Sequence, residues 1–91
     1  MTIRSFKSKH VQWLYKVGTN RTVPKNLHGS LIKHLDHLAA SHSIRDLQMI
    51  QGFHVIDLGR QLFACWITSN WRLVFRFEDG DAYDVYVEHF S

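Results

Sequence analysis

Two arginines and two histidines in the second half of the chain are the side chains best suited to chemistry. Arg72 and Arg76 are four residues apart in the run WRLVFRF, so a β-strand would place both on one face. His54 and His89 lie in two other runs rich in β-branched and aromatic residues, which favour strands. A guanidinium binds a phosphate through parallel hydrogen bonds, and an imidazole exchanges protons near pH 7. Together, the two groups favour a reaction on phosphate.

Cleavage of RNA without a metal ion is such a reaction. A base removes the proton of the ribose 2′-hydroxyl, a cation stabilises the pentavalent phosphorane, and an acid protonates the departing 5′-oxygen. The alternative is that these arginines and histidines are half-buried polar residues of a sheet with no catalytic role. Their spacing alone leaves both interpretations open.

The charges of the chain are segregated along the sequence. Residues 1–77 contain all 11 Lys and Arg residues and three of the eight acidic residues, whereas residues 78–91 contain the other five acids and no Lys or Arg. This pattern predicts a basic face that binds a polyanion such as nucleic acid, with an acidic hairpin elsewhere on the molecule. A solvated surface of mixed charge is the alternative.

A metal site is not predicted, although the chain has seven histidines. His34 and His37 are three residues apart on a predicted helix, but zinc normally takes three or four ligands and no second ligand pair has suitable spacing. We interpret these two histidines as surface residues and expect no cofactor. The single cysteine, Cys65, lies in a hydrophobic run and is predicted to be a core residue. A lone thiol and no leading apolar segment predict a cytoplasmic chain without a membrane span.

The period of the apolar residues predicts helices first and strands afterwards. One helix begins near Ser8 and stops at Gly18, and a second follows Pro24 with leucines at helical spacing. A short helical turn follows Ser43. The predicted strands are Ile3–Phe6, Phe53–Leu58, Leu62–Thr68, Arg72–Phe77 and Ala82–His89.

These elements predict one domain, residues 1–91, of the α+β class. Two N-terminal helices pack on a twisted, mainly antiparallel sheet, and the other face of the sheet is free to bind. Strict alternation in the last strand places Tyr83 and His89 on one face, with Asp84 and Glu88 on the other.

Several motifs resemble those of a known toxin family. They are RSFKSK near the start, VP before the long helix, FHVIDL, and above all SNWRLVFRFEDGDAYDV. Together they are similar to the HigB branch of the RelE superfamily, the toxins of bacterial type II toxin–antitoxin pairs. The resemblance extends from Ile3 to about Val87, and the block Asn70-Trp71-Arg72 with the residues after it is its most specific part.

The resemblance implies a RelE-like, microbial RNase-type fold and a ribosome-dependent mRNA endonuclease, or mRNA interferase, that inhibits translation. It implies no metal or organic cofactor. The expected partners are a helix-turn-helix HigA-like antitoxin, the ribosome and mRNA. Operator DNA would be bound only through the antitoxin complex, and no membrane is involved.

Residue by residue, the resemblance assigns phosphate binding to Arg72 and general acid/base duty to His54, with His89 as its partner. Arg60 would restore a positive charge where Asp57 stands in place of the usual basic residue. Candidate RNA contacts are Lys7, Lys9, Lys16, Arg21, Lys25, Lys33, Trp71, Arg76 and, for stacking, Phe90.

The chain departs from the family in its tail. It ends His89-Phe90-Ser91 where relatives often end Asp-Tyr-His. The alternative function is therefore a catalytically weakened or non-catalytic module of the same fold that binds the antitoxin or ribosomal RNA and acts by occupancy. An unrelated basic domain that binds RNA or DNA is a third possibility.

Overall fold

The structure is a computed structural model that describes residues 1–89 of the chain. Helices precede strands, as predicted. In chain order the elements are α1 (Lys9–Val17), a 3-10 turn (Lys25–Leu27), α2 (His28–Ala40), α3 (Ile44–Gln48), β1 (Val55–Gly59), β2 (Leu62–Trp66), β3 (Trp71–Glu78) and β4 (Asp81–His89). The predicted α+β class is confirmed.

Polar caps determine where the helices begin and end. The Ser8 hydroxyl accepts a hydrogen bond from the N–H of Val11 at the start of α1, and Gly18, at φ 91°, ends that helix in the left-handed region. The Ser43 hydroxyl caps α3 in the same way, by accepting from the N–H of Asp46. The predicted starts of these two helices are confirmed, and Pro24 leads into the 3-10 turn that precedes α2.

The four strands form an antiparallel meander in the order β1-β2-β3-β4. One side of the sheet packs on the helices. The core includes Leu31, Leu35 and Leu38 of α2 and Leu73 and Phe75 of β3, all with no exposed surface. We call the other side the open face; the strand residues on it are Ile56, Leu62, Ala64, Trp66, Arg72, Val74, Arg76, Tyr83, Tyr86 and Glu88.

The N-terminal segment adds two bridges to the sheet rather than a continuous strand. Ile3 and Phe6 form isolated parallel bridges with β4. The Arg4 guanidinium contacts Asp81 at 2.9 Å, and the N–H of Thr2 donates to the same carboxylate at 3.0 Å. These contacts lower the pKa of Asp81 from its ordinary value, chiefly through the hydrogen bond from Arg4. The first predicted strand is therefore shorter than expected.

A β-bulge in β4 changes which residues reach the open face. The register between β3 and β4 shifts between Val74 and Arg76, and Asp84 has a left-handed φ of 54°. One extra residue in a strand reverses the face of every residue after it. Tyr83, before the bulge, pairs with Arg76 on the open face, whereas His89, after it, lies on the helix side. The predicted alternation, with Tyr83 and His89 on one face, was wrong.

Two histidines of α2 are partly buried rather than surface residues. The His34 ring stacks on Phe53 with centroids 4.9 Å apart, and the His37 ring meets the same phenyl edge-on at 6.0 Å. His34 also bridges the carbonyl oxygens of Ser30 and Trp66, at 2.7 Å and 3.1 Å. His34 therefore links α2 to the end of β2, both histidines pack on Phe53, and the surface interpretation was wrong.

Cys65 is a core residue, as predicted. It has no exposed surface, and its burial raises the pKa of the thiol to about 12, so it stays protonated at neutral pH. Within residues 1–89 no three His, Cys, Asp or Glu side chains come together in an arrangement that could hold a metal ion. No helix in the same range has the length and apolar character to cross a membrane.

Candidate functional site

The open face carries a row of polar and aromatic side chains that runs across the strands. Arg72 of β3 is paired with Trp66 of β2 on one side and with Glu88 of β4 on the other. His54 immediately precedes β1, whose first residue, Val55, is paired with Cys65 next to Trp66. We call Trp66, Arg72 and Glu88 the Arg72 row. Because neighbouring strands are about 4.8 Å apart, β1 and β3 are roughly 10 Å apart, and His54 lies just before β1.

Arg72 is held in a fixed orientation by Glu88. Its Nε and Nη2 atoms both donate to Oε2 of that carboxylate, each at 2.9 Å. The side chain of Arg72 is 18% exposed and that of Glu88 is 39% exposed. The pair therefore faces solvent at its edge, while the arginine stem is packed into the sheet. His54, just before β1, is exposed and has a φ of 49°.

A second polar group lies further along the open face, around Arg76. This guanidinium contacts the carboxylates of Glu78 and Asp84 and lies 4.8 Å from the centroid of the Tyr83 ring. Nearby, the Lys7 ammonium lies 4.7 Å from the centroid of the Tyr86 ring. The group borders an open cleft of about 390 Å³; its lining residues are Lys7, Leu62, Arg76, Asp84 and Tyr86.

The segregation of charge along the sequence is therefore not a segregation in space. Acids of the C-terminal hairpin contact Arg4, Arg72 and Arg76, and so neutralise three of the cations that were expected to form a basic face. The expectation of an acidic hairpin elsewhere on the molecule was wrong. In the part of the chain that the structure describes, the remaining cations form no salt bridge; they are Lys7, Lys9, Lys16, Arg21, Lys25, Lys33, Arg45 and Arg60.

His89 and Trp71 lie on the side of the sheet opposite to Arg72. They are cross-strand partners, and their rings are 4.6 Å apart between centroids. Trp71 is partly buried and packs against the core, whereas His89 is exposed at the edge of β4. The structure thus does not bring His89 to Arg72. Phe90, the other residue considered for stacking, and Ser91 lie outside the described residues.

Arg60 and Asp57 also lie away from the Arg72 row. Arg60 is exposed in the turn between β1 and β2, six residues after His54, which in an extended strand is a distance of roughly 20 Å. Asp57 is paired with Phe63, whose ring faces the helices, and its carboxylate accepts a hydrogen bond from the N–H of Gly59 at 2.8 Å. Asp57 therefore stabilises the turn rather than facing the open side with Arg72.

Sequence reasoning missed the two residues of β4 that complete the open face, Glu88 and Tyr86. The two-residue turn at Asp79-Gly80 predicts a regular hairpin, in which Arg72 would lie opposite Val87. The bulge adds one residue, so the observed partner is Glu88. The available signal was the Asp84 side chain itself, because Asp tolerates the left-handed backbone that a bulge requires.

Comparison with known proteins agrees with this arrangement of helices and sheet. A family model described as "RelE-like toxin of type II toxin-antitoxin system HigB" matches residues 4–90, nearly the whole chain. No curated protein matches the chain. The match covers the helices, all four strands and the Arg72 row. The chain therefore belongs to the HigB-like family of RelE-like toxins, which act in type II toxin–antitoxin systems together with an antitoxin.

Proposed function

We propose that this toxin is a ribosome-dependent mRNA endonuclease that inhibits translation, and that it cleaves RNA on the open face. One observation carries the proposal. Arg72 is fixed by Glu88 on the open face of the sheet, and the exposed His54 lies just before β1 of the same sheet. Cleavage at a 2′-hydroxyl needs a cation, a proton acceptor in contact with it, and an imidazole within reach of the same nucleotide.

In the proposed reaction Glu88 accepts the proton of the ribose 2′-hydroxyl, and the resulting oxygen nucleophile attacks the adjacent phosphorus. Arg72 donates hydrogen bonds to the phosphorane oxygens as their charge increases. The bond from phosphorus to the 5′-oxygen then breaks, and His54 donates a proton to that oxygen. The products are a 2′,3′-cyclic phosphate and a free 5′-hydroxyl. Glu88 thus takes the role that the resemblance gave to His89, which lies on the other side of the sheet.

This assignment requires RNA rather than DNA, because the attacking nucleophile is the 2′-hydroxyl. It also requires no metal ion, since the guanidinium supplies the positive charge. Trp66 and Tyr86 flank Arg72 and Val74 across the open face and offer ring surfaces beside the scissile phosphate. Arg76 and Lys7, at the neighbouring cleft, would bind the next phosphate along the strand.

The same proposal covers the partners. The antitoxin would be of the helix-turn-helix, HigA-like kind, and it would neutralise the toxin by denying mRNA access to the open face. Operator DNA would be bound by the antitoxin within the complex. Five cations that form no salt bridge within residues 1–89 would hold ribosomal RNA; they are Lys9, Lys16, Arg21, Lys25 and Lys33. A protein that acts on translating ribosomes would work in the cytoplasm.

Mapping of mRNA ends in a translating bacterial extract tests the function. The full chain should produce cuts at fixed positions within codons, only when ribosomes are present, with 5′-hydroxyl ends. Arg72→Ala should reduce cleavage by about 100-fold or more, because one lost donor to a transition-state oxyanion has that effect. Arg45→Ala, which removes an exposed arginine on α3, is the control and should cut like the parent chain.

Urea denaturation of both variants separates loss of function from loss of fold. Arg72→Ala removes the packed stem together with the ion pair, so it should lower the free energy of unfolding by about 1–3 kcal/mol, and cleavage is compared per folded molecule. Cuts that persist in the Arg72→Ala variant would reject the proposed site.

Translation arrest by occupancy alone is the second candidate. Two observations favour it: the charge of Arg72 is already matched by Glu88, and His89 lies on the opposite side of the sheet. Arrest of translation without any new mRNA ends, retained in Arg72→Ala, would select this function over the nuclease.

A further inference from the structure

An open cleft beside α1, distant in sequence from the Arg72 row, combines an exposed aromatic ring with cations. It has a volume of about 550 Å³ and lies between the outer side of α1 and the loop that follows it. We call it the α1 cleft; its lining residues are Lys9, His10, Trp13, Thr19, Asn20, Arg21 and Thr22. We propose that it binds single-stranded RNA, with an unpaired base stacked on Trp13 and phosphates on Lys9 and Arg21.

The exposure of Trp13 is the first argument. The side chain is 57% exposed although it lies on a helix whose opposite side is fully buried. In a helix, residues three and four apart are neighbours, so Lys9 and His10 lie beside the indole on the preceding turn. A flat ring next to a cation is how proteins bind unpaired nucleotides without regard to sequence, because every base has a face that can stack.

The charge of the cleft is the second argument. Lys9 and Arg21 lie in its wall, neither forms a salt bridge within residues 1–89, and no acidic residue is among the lining residues. A smaller cleft of about 350 Å³ shares the loop residues and extends toward Lys25 and His28. Cationic residues therefore continue beyond Trp13 toward Lys25, where further phosphates of a bound RNA strand would lie.

The loop is held in shape from within. Gly18 ends α1 by donating its N–H to the carbonyl of Leu14 at 2.7 Å, and the Asn20 carboxamide oxygen accepts the N–H groups of Thr22 and Val23, at 2.8 Å and 3.2 Å. Because the backbone of the loop is fixed, the exposed Arg21 keeps its position at the α1 cleft. The inference goes beyond the proposed nuclease site; it rests on the proposed RNA contacts of Lys9 and Arg21 and adds Trp13 and a single-stranded ligand to them.

Fluorescence anisotropy with a labelled 2′-O-methyl uridine octamer tests the inference. The methyl groups remove the nucleophile, so the probe binds without being cut. Trp13→Ala should weaken binding about 10-fold, since stacking on one aromatic ring has an effect of that size. Trp13→Phe should stay within about 3-fold of the parent, because the phenyl ring still stacks. Val17→Ala is the control, as it removes an exposed apolar residue of α1 that does not line the cleft.

A second measurement identifies the contact directly. The indole N–H resonance that disappears in Trp13→Phe should move when the octamer is added to the parent chain. A resonance that stays in place, or equal octamer affinity in Trp13→Ala and the parent, would overturn the inference. It would leave the nuclease proposal intact, because cleavage is tested through Arg72.

The competing occupant of this cleft is the antitoxin. Loss of antitoxin binding in Trp13→Ala, with octamer binding unchanged, would assign the cleft to that protein and overturn the inference. Binding of the octamer that depends on Trp13 in a chain that makes no cuts would support the inference and reject the nuclease.

Discussion

The open face and the α1 cleft both contain cations, but the arginines of the open face are paired with carboxylates and the cations of the α1 cleft are not. On the open face, Arg72 and Arg76 contact carboxylates of β3 and β4. In the α1 cleft, Lys9 and Arg21 have no acidic neighbour in the lining. Both regions belong to the same chain, so the difference is not imposed by the overall charge of the chain. The difference arises from the positions of the five acidic residues of the C-terminal hairpin.

The difference indicates two kinds of binding. A guanidinium already fixed by a carboxylate is oriented before the ligand arrives, and it favours ligands that can share or replace that partner. A lysine or arginine without such a partner attracts any polyanion, and it does so more weakly as salt increases. The open face is thus suited to recognising one phosphate in one geometry, and the α1 cleft to holding the chain on RNA.

Removing the carboxylate that contacts Arg72 should have the largest effect. Glu88→Gln keeps the shape of the side chain but cannot accept the 2′-hydroxyl proton, so cleavage should fall about 10²–10⁴-fold. Binding of the 2′-O-methyl octamer should not weaken, because a negative charge near the phosphate has been removed. Rates of cut formation and octamer affinity, measured on the same preparation, check both expectations.

Glu78→Gln is the matched control, since it removes a carboxylate from Arg76 in the same way. Cleavage by Glu88→Gln at or above the rate of the parent would show that Glu88 competes with the phosphate instead of serving as the base.

Disturbing the bulge should have the next largest effect, because the bulge sets which residue faces Arg72. Asp84 has a φ of 54°, a conformation that a β-branched side chain strongly disfavours. Asp84→Val should lower the free energy of unfolding by about 1–2 kcal/mol, as measured by urea denaturation, and should also reduce cleavage. Asp84→Gly should keep the bulge and unfold near the parent, because glycine adopts positive φ without strain.

Asp79→Val is the comparison for this prediction. Asp79 has a similar φ of 50°, but it lies in the hairpin turn and not at the register shift that brings Glu88 opposite Arg72. We expect this variant to lose stability and to retain cleavage per folded molecule. If Asp84→Val and Asp79→Val lost cleavage equally, cleavage would not depend on the register of β4.

The same bulge marks the limit of what the sequence could predict. The helices, the four strands and the order of the elements were predictable, because capping residues, leucine spacing and the Asp79-Gly80 turn are local signals. The face on which a residue lies depends on the register, and one unpaired residue reverses it. The sequence therefore predicted Arg72 and His54 as candidates but put His89, instead of Glu88, at the end of the row.

The α1 cleft also contains a residue whose position the sequence could not predict. Lys9 and Arg21 were candidate RNA contacts through the resemblance to the toxin family, and this remains a prediction. Trp13 was not a candidate, because an aromatic residue beside an amphipathic stripe is usually part of the core, and only the packing of α1 leaves this ring exposed.

The smallest expected effect concerns salt, and it tests the comparison between the two regions directly. Each cation that neutralises a phosphate of single-stranded RNA contributes about 0.7 to the slope of log affinity against log salt concentration. Lys9→Gln and Arg21→Gln should each reduce the slope for the octamer by about that amount and weaken binding a few-fold at moderate salt.

Arg76→Gln should leave the slope nearly unchanged. The carboxylates of Glu78 and Asp84 already neutralise Arg76, so this arginine releases few counterions from the RNA when it binds a phosphate. The three slopes, measured by anisotropy between low and physiological salt, check this contrast. If Arg76→Gln reduced the slope as much as Lys9→Gln, the carboxylates of the open face would not be matching its arginines in solution. The two regions would then bind RNA in the same way, and the distinction between an oriented phosphate site and an electrostatic cleft would fail.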